Sequence, residues 1–368
     1  MIYALFFIWI TIIAFLEINQ IGKSKNAYHL LYVFTGLLLV IFAGTRDGNG
    51  YDFIQYEFLY KGINLQNYAS KAVEIGFAFI VEAFRTLGFS LNAFLFMVAL
   101  FCVSFKMEYF RQNSQYLFLA LLSYYSIGFI INEFGQIRHG IAIAIALFAF
   151  QDLMEGKSKS YFIKVLCGFL IHASIIVLVP AYFLARSNRL TPKVMLLSLI
   201  PLMAFIFIDI KQAMFALLNY VPFFQIQAKI TFYIYSDEFG QNLGINISFL
   251  LRLLTFILML LFVAPGRIVF KGYDKLVKLY YFGLVLYLVF SSIAEFAIRS
   301  STYFKALDAI ILPFFVSLGK TRKEKNVITL LIVLYCFYSI YKVVYGGPNS
   351  FVFHPYKSTL INFFFVND

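Results

Sequence analysis

Residues 28–56 read YHLLYVFTGLLLVIFAGTRDGNGYDFIQY, an apolar run that breaks into charges, glycines and tyrosines. Eighteen or so residues without Lys, Arg, Asp or Glu are long enough for a helix to cross a bilayer. Directly after that run, residues 44–56 set Arg46, Asp47 and Asp52 beside Gly48 and Gly50 at the membrane edge.

Similar runs recur along the chain, which is 62% hydrophobic and only 13% charged over 368 residues. A soluble domain of this size carries far more polar surface, and a membrane β-barrel shows short alternating segments instead. The fold class is therefore an all-α polytopic membrane protein. Run lengths indicate roughly ten to twelve transmembrane or re-entrant helices, taken as one transmembrane domain over residues 1–368. Residues 1–19 lack the basic start and cleavage site of a signal peptide and are expected as a retained helix. Cys102, Cys167 and Cys336 stand singly in apolar segments. They are expected as small core residues, with neither a disulfide framework nor a metal site.

The net charge of +12 does not point to nucleic acid, because the basic residues are scattered into short segments between apolar runs. Lys23 and Lys25, Lys106 and Arg111, Lys157 and Lys159, Arg267, Lys271 and Lys275, and Lys320 to Lys325 are read as cytoplasmic-loop markers. That assignment puts 46–74, 132–139, 211–247, 295–303 and 346–368 outside. The aromatic and polar residues of 211–247, among them Tyr220, Pro222, Phe223, Phe224, Tyr233, Tyr235, Asp237 and Glu238, suit an interfacial lid.

Two segments do not fit simple crossings. Residues 74–110 hold a short apolar piece broken by Arg85 and Gly88 before a full run from Leu91. Residues 161–185 must return to the side they left, yet about 25 residues at ~1.5 Å each cannot cross a ~30 Å core twice. Either this is a re-entrant or broken helix pair with His172 near its tip, or the charge rule fails at Arg186. Irregular backbone at membrane depth survives where protein or a water-filled cavity satisfies it.

Four clusters carry chemistry. Arg46 is either an interfacial arginine reaching to headgroups or a phosphate clamp, since a guanidinium matches phosphate oxygens bidentately. Asp52 and Tyr56, four apart, share a face if the chain is helical there. In Asn132-Glu133-Phe134-Gly135-Gln136-Ile137-Arg138-His139, Arg138 opens a helix where the dipole favours anions, so a bound anion would explain it. Glu133 as its ion-pair partner is the plainer alternative. His172 sits in an apolar helical stretch, where a lone histidine is often hydrogen-bonded internally but ionisable groups also mark function. Arg299 and Tyr303 again stand four apart.

These residues carry a resemblance. The Arg46–Tyr56 element, Gln-Ile-Arg-His-Gly-Ile-Ala at 136–142, Phe-Leu-Ile-His-Ala-Ser at 169–174, Arg299-x-x-x-Tyr303-Phe304 and His354-Pro355-Tyr356-Lys357-Ser358 together resemble the EpsG-type branch of the Wzy polysaccharide polymerases. Two departures stand out: Gly50-Tyr51-Asp52 replaces a more usual Gly-Thr-Asp-Tyr, and Arg138-His139 a more usual Arg-Gln.

The resemblance implies a GT-C-like membrane glycosyltransferase of the bacterial inner membrane with its active site on the periplasmic or outer face. It would serve O-antigen, capsule or exopolysaccharide biosynthesis. Such an enzyme transfers a growing glycan from undecaprenyl pyrophosphate onto the non-reducing end of a lipid-linked repeat unit. On this reading Arg46, Arg138 and Arg299 surround the pyrophosphate, His172 or Asp52 is the base, and Tyr56, Tyr303, His139 and Glu133 contact substrate. No metal or other cofactor is expected. The partners are lipid-linked donor and acceptor, membrane lipid, a chain-length regulator and a flippase. An O-antigen ligase, which delivers the glycan to lipid A core, is the nearest alternative. A lipid-linked oligosaccharide flippase would show internal repeats and cations spread through membrane depth. A membrane O-acyltransferase would place its histidine toward the cytoplasm.

Overall fold

A computed structural model of the full chain describes residues 1–21, 25–218, 224–236, 240–347 and 349–360. Among these, the regular secondary structure is helical, with no strand beyond one isolated antiparallel bridge between Arg46 and Ser358. Five helices are long and apolar enough to span a membrane: Asn26–Gly44, Leu91–Asn113, Leu117–Gly135, Ile137–Glu155 and Arg322–Gly346. A sixth span is available if Ile247–Leu261 and Val263–Val269, bent by 84°, count together. Four shorter apolar helices complete the set, Ile2–Ile18, Ala173–Arg186, Pro192–Ile206 and Asp308–Ser317. The chain is an all-α polytopic membrane protein.

The described chain divides into two compact units. The first comprises residues 1–64, 79–147 and 306–368. Here the helix at Lys25–Gly44 packs along Leu91–Asn113, and Ile2–Ile18 along Leu117–Tyr124. Glu17 accepts the backbone N–H groups of Leu117 at 2.8 Å and Phe118 at 2.9 Å. A carboxylate from one helix thus satisfies the orphan donors that open another and complements its dipole. From Tyr125 to Gly135 the same rod widens into a π-helix. Such wide turns recur at functional sites, and this one turns Asn132 and Glu133 inward, both 3% exposed.

The second unit comprises residues 65–78 and 148–305. Its axis is the Tyr273–Val289 helix, against which Leu178–Arg186, Pro192–Leu202, Ile247–Leu261 and Ala294–Lys305 all pack. Residues 158–186 form a hairpin. The Ser158–Phe169 helix ends at a break, and the chain returns as a 3₁₀ turn, Ala173–Val177, followed by Leu178–Arg186. Tyr161 donates to the Leu178 carbonyl at 2.6 Å, and Ser158 Oγ accepts from Arg186 at 3.1 Å. The two ends of the hairpin therefore meet, as a re-entrant pair requires. The short piece before Leu91 is likewise a separate helix, Ile75–Thr86.

Three expectations are corrected. Lys106, expected in a cytoplasmic loop, lies inside the Leu91–Asn113 helix and is 1% exposed. Cys167 is exposed, whereas Cys102 and Cys336 are buried. His172 is not in a helix but at the hairpin break, with extended backbone. Lys23, and from the lid stretch Tyr220, Pro222, Phe223, Asp237 and Glu238, lie outside the described residues.

Candidate functional site

In the first unit the Gly-rich loop after Gly44 is pinned by the C-terminal segment. Asp47 N–H donates to the Lys357 carbonyl at 3.0 Å, Thr359 N–H to Thr45 at 2.8 Å, and Gly50 N–H to Val352 at 3.1 Å. Asn49 adds its side chain, donating to the Pro355 carbonyl at 3.0 Å and accepting from Lys357 N–H at 2.7 Å. Gly50 has φ +110°, and a Cβ there would stand 2.0 Å from the Phe134 carbonyl oxygen. Only glycine permits that approach. Beside the loop Tyr3, Phe42, Phe134 and Tyr356 pack edge-on or tilted against one another, with centroids 4.8–6.3 Å apart.

Arg46 is folded into this lining at 1% exposure. Its Nη1 donates to the Ala43 carbonyl and its guanidinium lies 5.5 Å from the Phe134 ring centroid. Nε and Nη2 have no hydrogen-bond partner. Burial pulls its pKa down to about 10, against the pull of Tyr56, Tyr356 and Glu133. The group remains a cation at neutral pH.

The Phe53–Gly62 helix starts after Asp52, a half-buried N-terminal residue, and carries Tyr56 on the same face at 4% exposure. The Tyr56 phenol oxygen accepts hydrogen bonds from the backbone and side chain of Arg138. Arg138 is the second residue of the Ile137–Glu155 helix, 9% exposed, so the sequence expectation of an arginine at a helix N-terminus holds geometrically. Next to it His139 places Nδ1 3.3 Å from Gln136 Oε1. Glu133 accepts from Lys106 Nζ at 2.6 Å and from the Tyr124 hydroxyl. Glu133, the carboxylate expected as Arg138's plainer ion-pair partner, thus binds Lys106 and Tyr124 through Oε1.

In the second unit Glu74 approaches the hairpin tip. Its Oε1 accepts Ala173 N–H at 3.0 Å and lies 3.5 Å from His172 Nδ1. Ser174 Oγ and the Tyr303 hydroxyl are 2.8 Å apart, and Tyr303 interacts electrostatically with Glu74 and Arg299. Arg299 forms an ion pair with Glu295 one turn back, and its guanidinium lies 5.3 Å from the Tyr233 ring centroid. Tyr233 belongs to the Phe224–Tyr235 helix, within the stretch expected as a lid. Arg252, on the apolar Ile247–Leu261 helix, donates to Ser301 at 2.7 Å and stands 5.4 Å from the Tyr287 centroid, leaving Nε without a hydrogen-bond partner.

Arg46, Tyr56, Asp52, Arg138, His139 and Glu133 therefore belong to one unit, and His172, Arg299 and Tyr303 to the other. Glu74, Lys106 and Arg252 join these clusters although the sequence alone does not single them out. An acidic or basic residue at the edge of an apolar run is the available signal. Among the described residues no three His, Cys, Asp or Glu side chains gather as a metal-binding group.

The fold and these clusters define a polytopic membrane protein that buries cationic and acidic side chains within its helical units. The sequence model of the EpsG family matches residues 29–358, and the chain belongs to that family. Membership carries a polysaccharide-polymerase type of function, glycosyltransferase-like in general terms. No curated protein and no solved structure gives a significant match.

Proposed function

We propose that the chain polymerises a lipid-linked glycan in the bacterial inner membrane, with its site facing the periplasm or cell exterior. The growing chain on undecaprenyl pyrophosphate is the donor and a lipid-linked repeat unit the acceptor. The acceptor hydroxyl oxygen bonds to the donor's anomeric carbon, the bond from that carbon to the pyrophosphate breaks, and its electron pair leaves with the lipid pyrophosphate. The hydroxyl proton passes to a base, His172 or Asp52. A flippase would supply the substrates and a chain-length regulator would limit the product.

One observation carries the reading: Arg46 is a fully buried cation with two nitrogens unpartnered, while Glu133, the carboxylate that acts on it, is held by Lys106. A buried charge without a counter-ion is costly, so a site of this kind is built for an anion that arrives. Charge accumulates on the pyrophosphate as it leaves, and arginines already in position stabilise that transition state. Arg46 and Arg138, joined through Tyr56, are assigned this role. The GT-C type is part of the same proposal.

The test is complementation of a polymerase-deficient strain. Arg46→Ala, Arg138→Ala and His172→Ala should each lose long polymer at normal protein level; retention by all three would show the assigned site to be wrong, and failure of the parent chain to restore polymer would sink the polymerase reading. Orientation is tested with Tyr51→Cys, an exposed position at 38%, in a chain whose exposed Cys167 is replaced by serine. Labelling from outside is expected, and labelling only from the cytoplasm contradicts the placement.

A further inference from the structure

We propose that Glu74 and His172 form a carboxylate–imidazole pair in which Glu74 holds the ring and His172 is the proton acceptor. This rests on the polymerase reading and chooses between its two candidate bases.

The geometry comes from the hairpin tip. The helix at Ser158–Phe169 ends where His172 turns extended, at φ −154° and ψ 112°. The segment from Glu74 is bound to that break by backbone. Gly76 N–H donates to the Leu170 carbonyl at 2.8 Å and Phe77 N–H at 3.2 Å. A Cβ at Gly76 would lie 2.6 Å from that same oxygen, so the close docking depends on glycine. This docking aims Glu74 at the imidazole and places Oε1 3.5 Å from Nδ1, with His172 at 5% exposure and Glu74's side chain at 13%. From the Ala294–Lys305 helix, Tyr303 fixes Ser174 two residues beyond His172 and faces Glu74. Groups beside the pair include the hydroxyls of Ser174 and Tyr303, with Arg299 acting on Tyr303.

A carboxylate on Nδ1 does two things. At that ion-pair distance it favours the tautomer with hydrogen on Nδ1, leaving Nε2 to accept, and it stabilises the imidazolium once formed. The acceptor hydroxyl loses its proton to Nε2 as its oxygen bonds to the anomeric carbon, and the electron pair of the broken bond departs with the pyrophosphate. Glu74 stays ionised and touches no reacting atom, so it is a positioning residue. Asp52, half-buried at the start of another helix, acts on the Tyr56 phenol.

Glu74 also caps the 3₁₀ turn through Ala173 N–H. Glu74→Gln separates the two roles, because an amide oxygen still accepts that N–H but carries no charge for the imidazolium. The experiment measures polymerisation in membrane vesicles supplied with lipid-linked repeat unit, for Glu74→Gln, His172→Ala, the double variant and Arg46→Ala, at matched protein level and with monodisperse protein. The turnover of Glu74→Gln should fall about tenfold or more with KM for the repeat unit changed less than about twofold, and His172→Ala should fall about 10²-fold. The double variant should match His172→Ala, since Glu74 acts only through the ring. Turnover of Glu74→Gln within about twofold of the parent, or a double variant lower than His172→Ala by the full Glu74→Gln factor, overturns the pair. If the parent chain does not polymerise the repeat unit, the polymerase reading itself fails, and if Arg46→Ala and His172→Ala both keep polymerising, the assigned site and the pair fail with the activity intact. If they are inactive and Glu74→Gln is not, only the pair fails.

Discussion

Replacing Arg46 with methionine should separate stability from function. The side chain is 1% exposed, and burial lowers its pKa from the ordinary guanidinium value to about 10. That difference corresponds to about 3 kcal/mol working against the charged form in the folded state. Against it stand the bond to the Ala43 carbonyl, about 1.5–3 kcal/mol for a charged donor, and the contact with Phe134, about 0.5–2 kcal/mol. The two sides nearly cancel, and methionine fills most of the volume. Arg46→Met should therefore shift the stability of the ligand-free protein by no more than about 1 kcal/mol, or about 2 °C or less for a chain of this length. Long polymer should be lost in the same variant. The assay is the midpoint of loss of the monodisperse peak after heating in detergent, beside polymer length in a complemented strain. An arginine kept for structure, neutralised by a buried partner, would cost about 3–5 kcal/mol on removal. A loss of that size, or long polymer from Arg46→Met, refutes the reasoning.

The neighbouring ion pair should behave in the opposite way. Lys106→Met leaves Glu133 charged in a closed interior and should cost about 3–5 kcal/mol, much of it recovered in Lys106→Met/Glu133→Met; the same heating assay reads both, and a silent single variant would show the pair to be unimportant. Asn49→Ala removes the side chain that ties the loop to Pro355 and Lys357. It should cost about 1–3 kcal/mol and make the C-terminal segment cleavable by added protease from its own side, while an unchanged digestion pattern would contradict the strap. Gly50→Ala places a Cβ 2.0 Å from the Phe134 carbonyl oxygen at φ +110°, so folded protein and polymer should both fall. Normal yield and polymer length would show that the loop can relax.

Much of the fold is legible in the sequence because the membrane imposes lengths. Too few residues for two crossings between 161 and 185 leave either a re-entrant or broken pair or a failure of the charge rule at Arg186, and Tyr161 on Leu178 closes a hairpin. The break at Arg85 and Gly88 likewise separates two helices. Charges are harder to read, since a lysine inside a helix and one in a loop look alike when each interrupts an apolar run. Lys106 is such a case, and only its distance to Glu133 distinguishes the two placements. Glu74 is invisible because its partner lies 98 residues away, and the segment between them gives no signal of which ends meet. The C-terminal strap is built mostly from backbone hydrogen bonds, which leave no side-chain signature. Arg252 sits in a run apolar enough to hide one charge.

The central claim is that the buried arginines wait for a lipid pyrophosphate, and binding tests it without any polymer assay. Purified protein and its Arg46→Met variant are heated with and without undecaprenyl pyrophosphate, with undecaprenol as the control for the tail. At about 100 times the dissociation constant, a ligand selective for the folded state adds about 2.7 kcal/mol. The account predicts that the pyrophosphate raises the midpoint of the parent chain well beyond undecaprenol and that Arg46→Met loses this gain. Equal stabilisation of both proteins, or none by the pyrophosphate over undecaprenol, would contradict it.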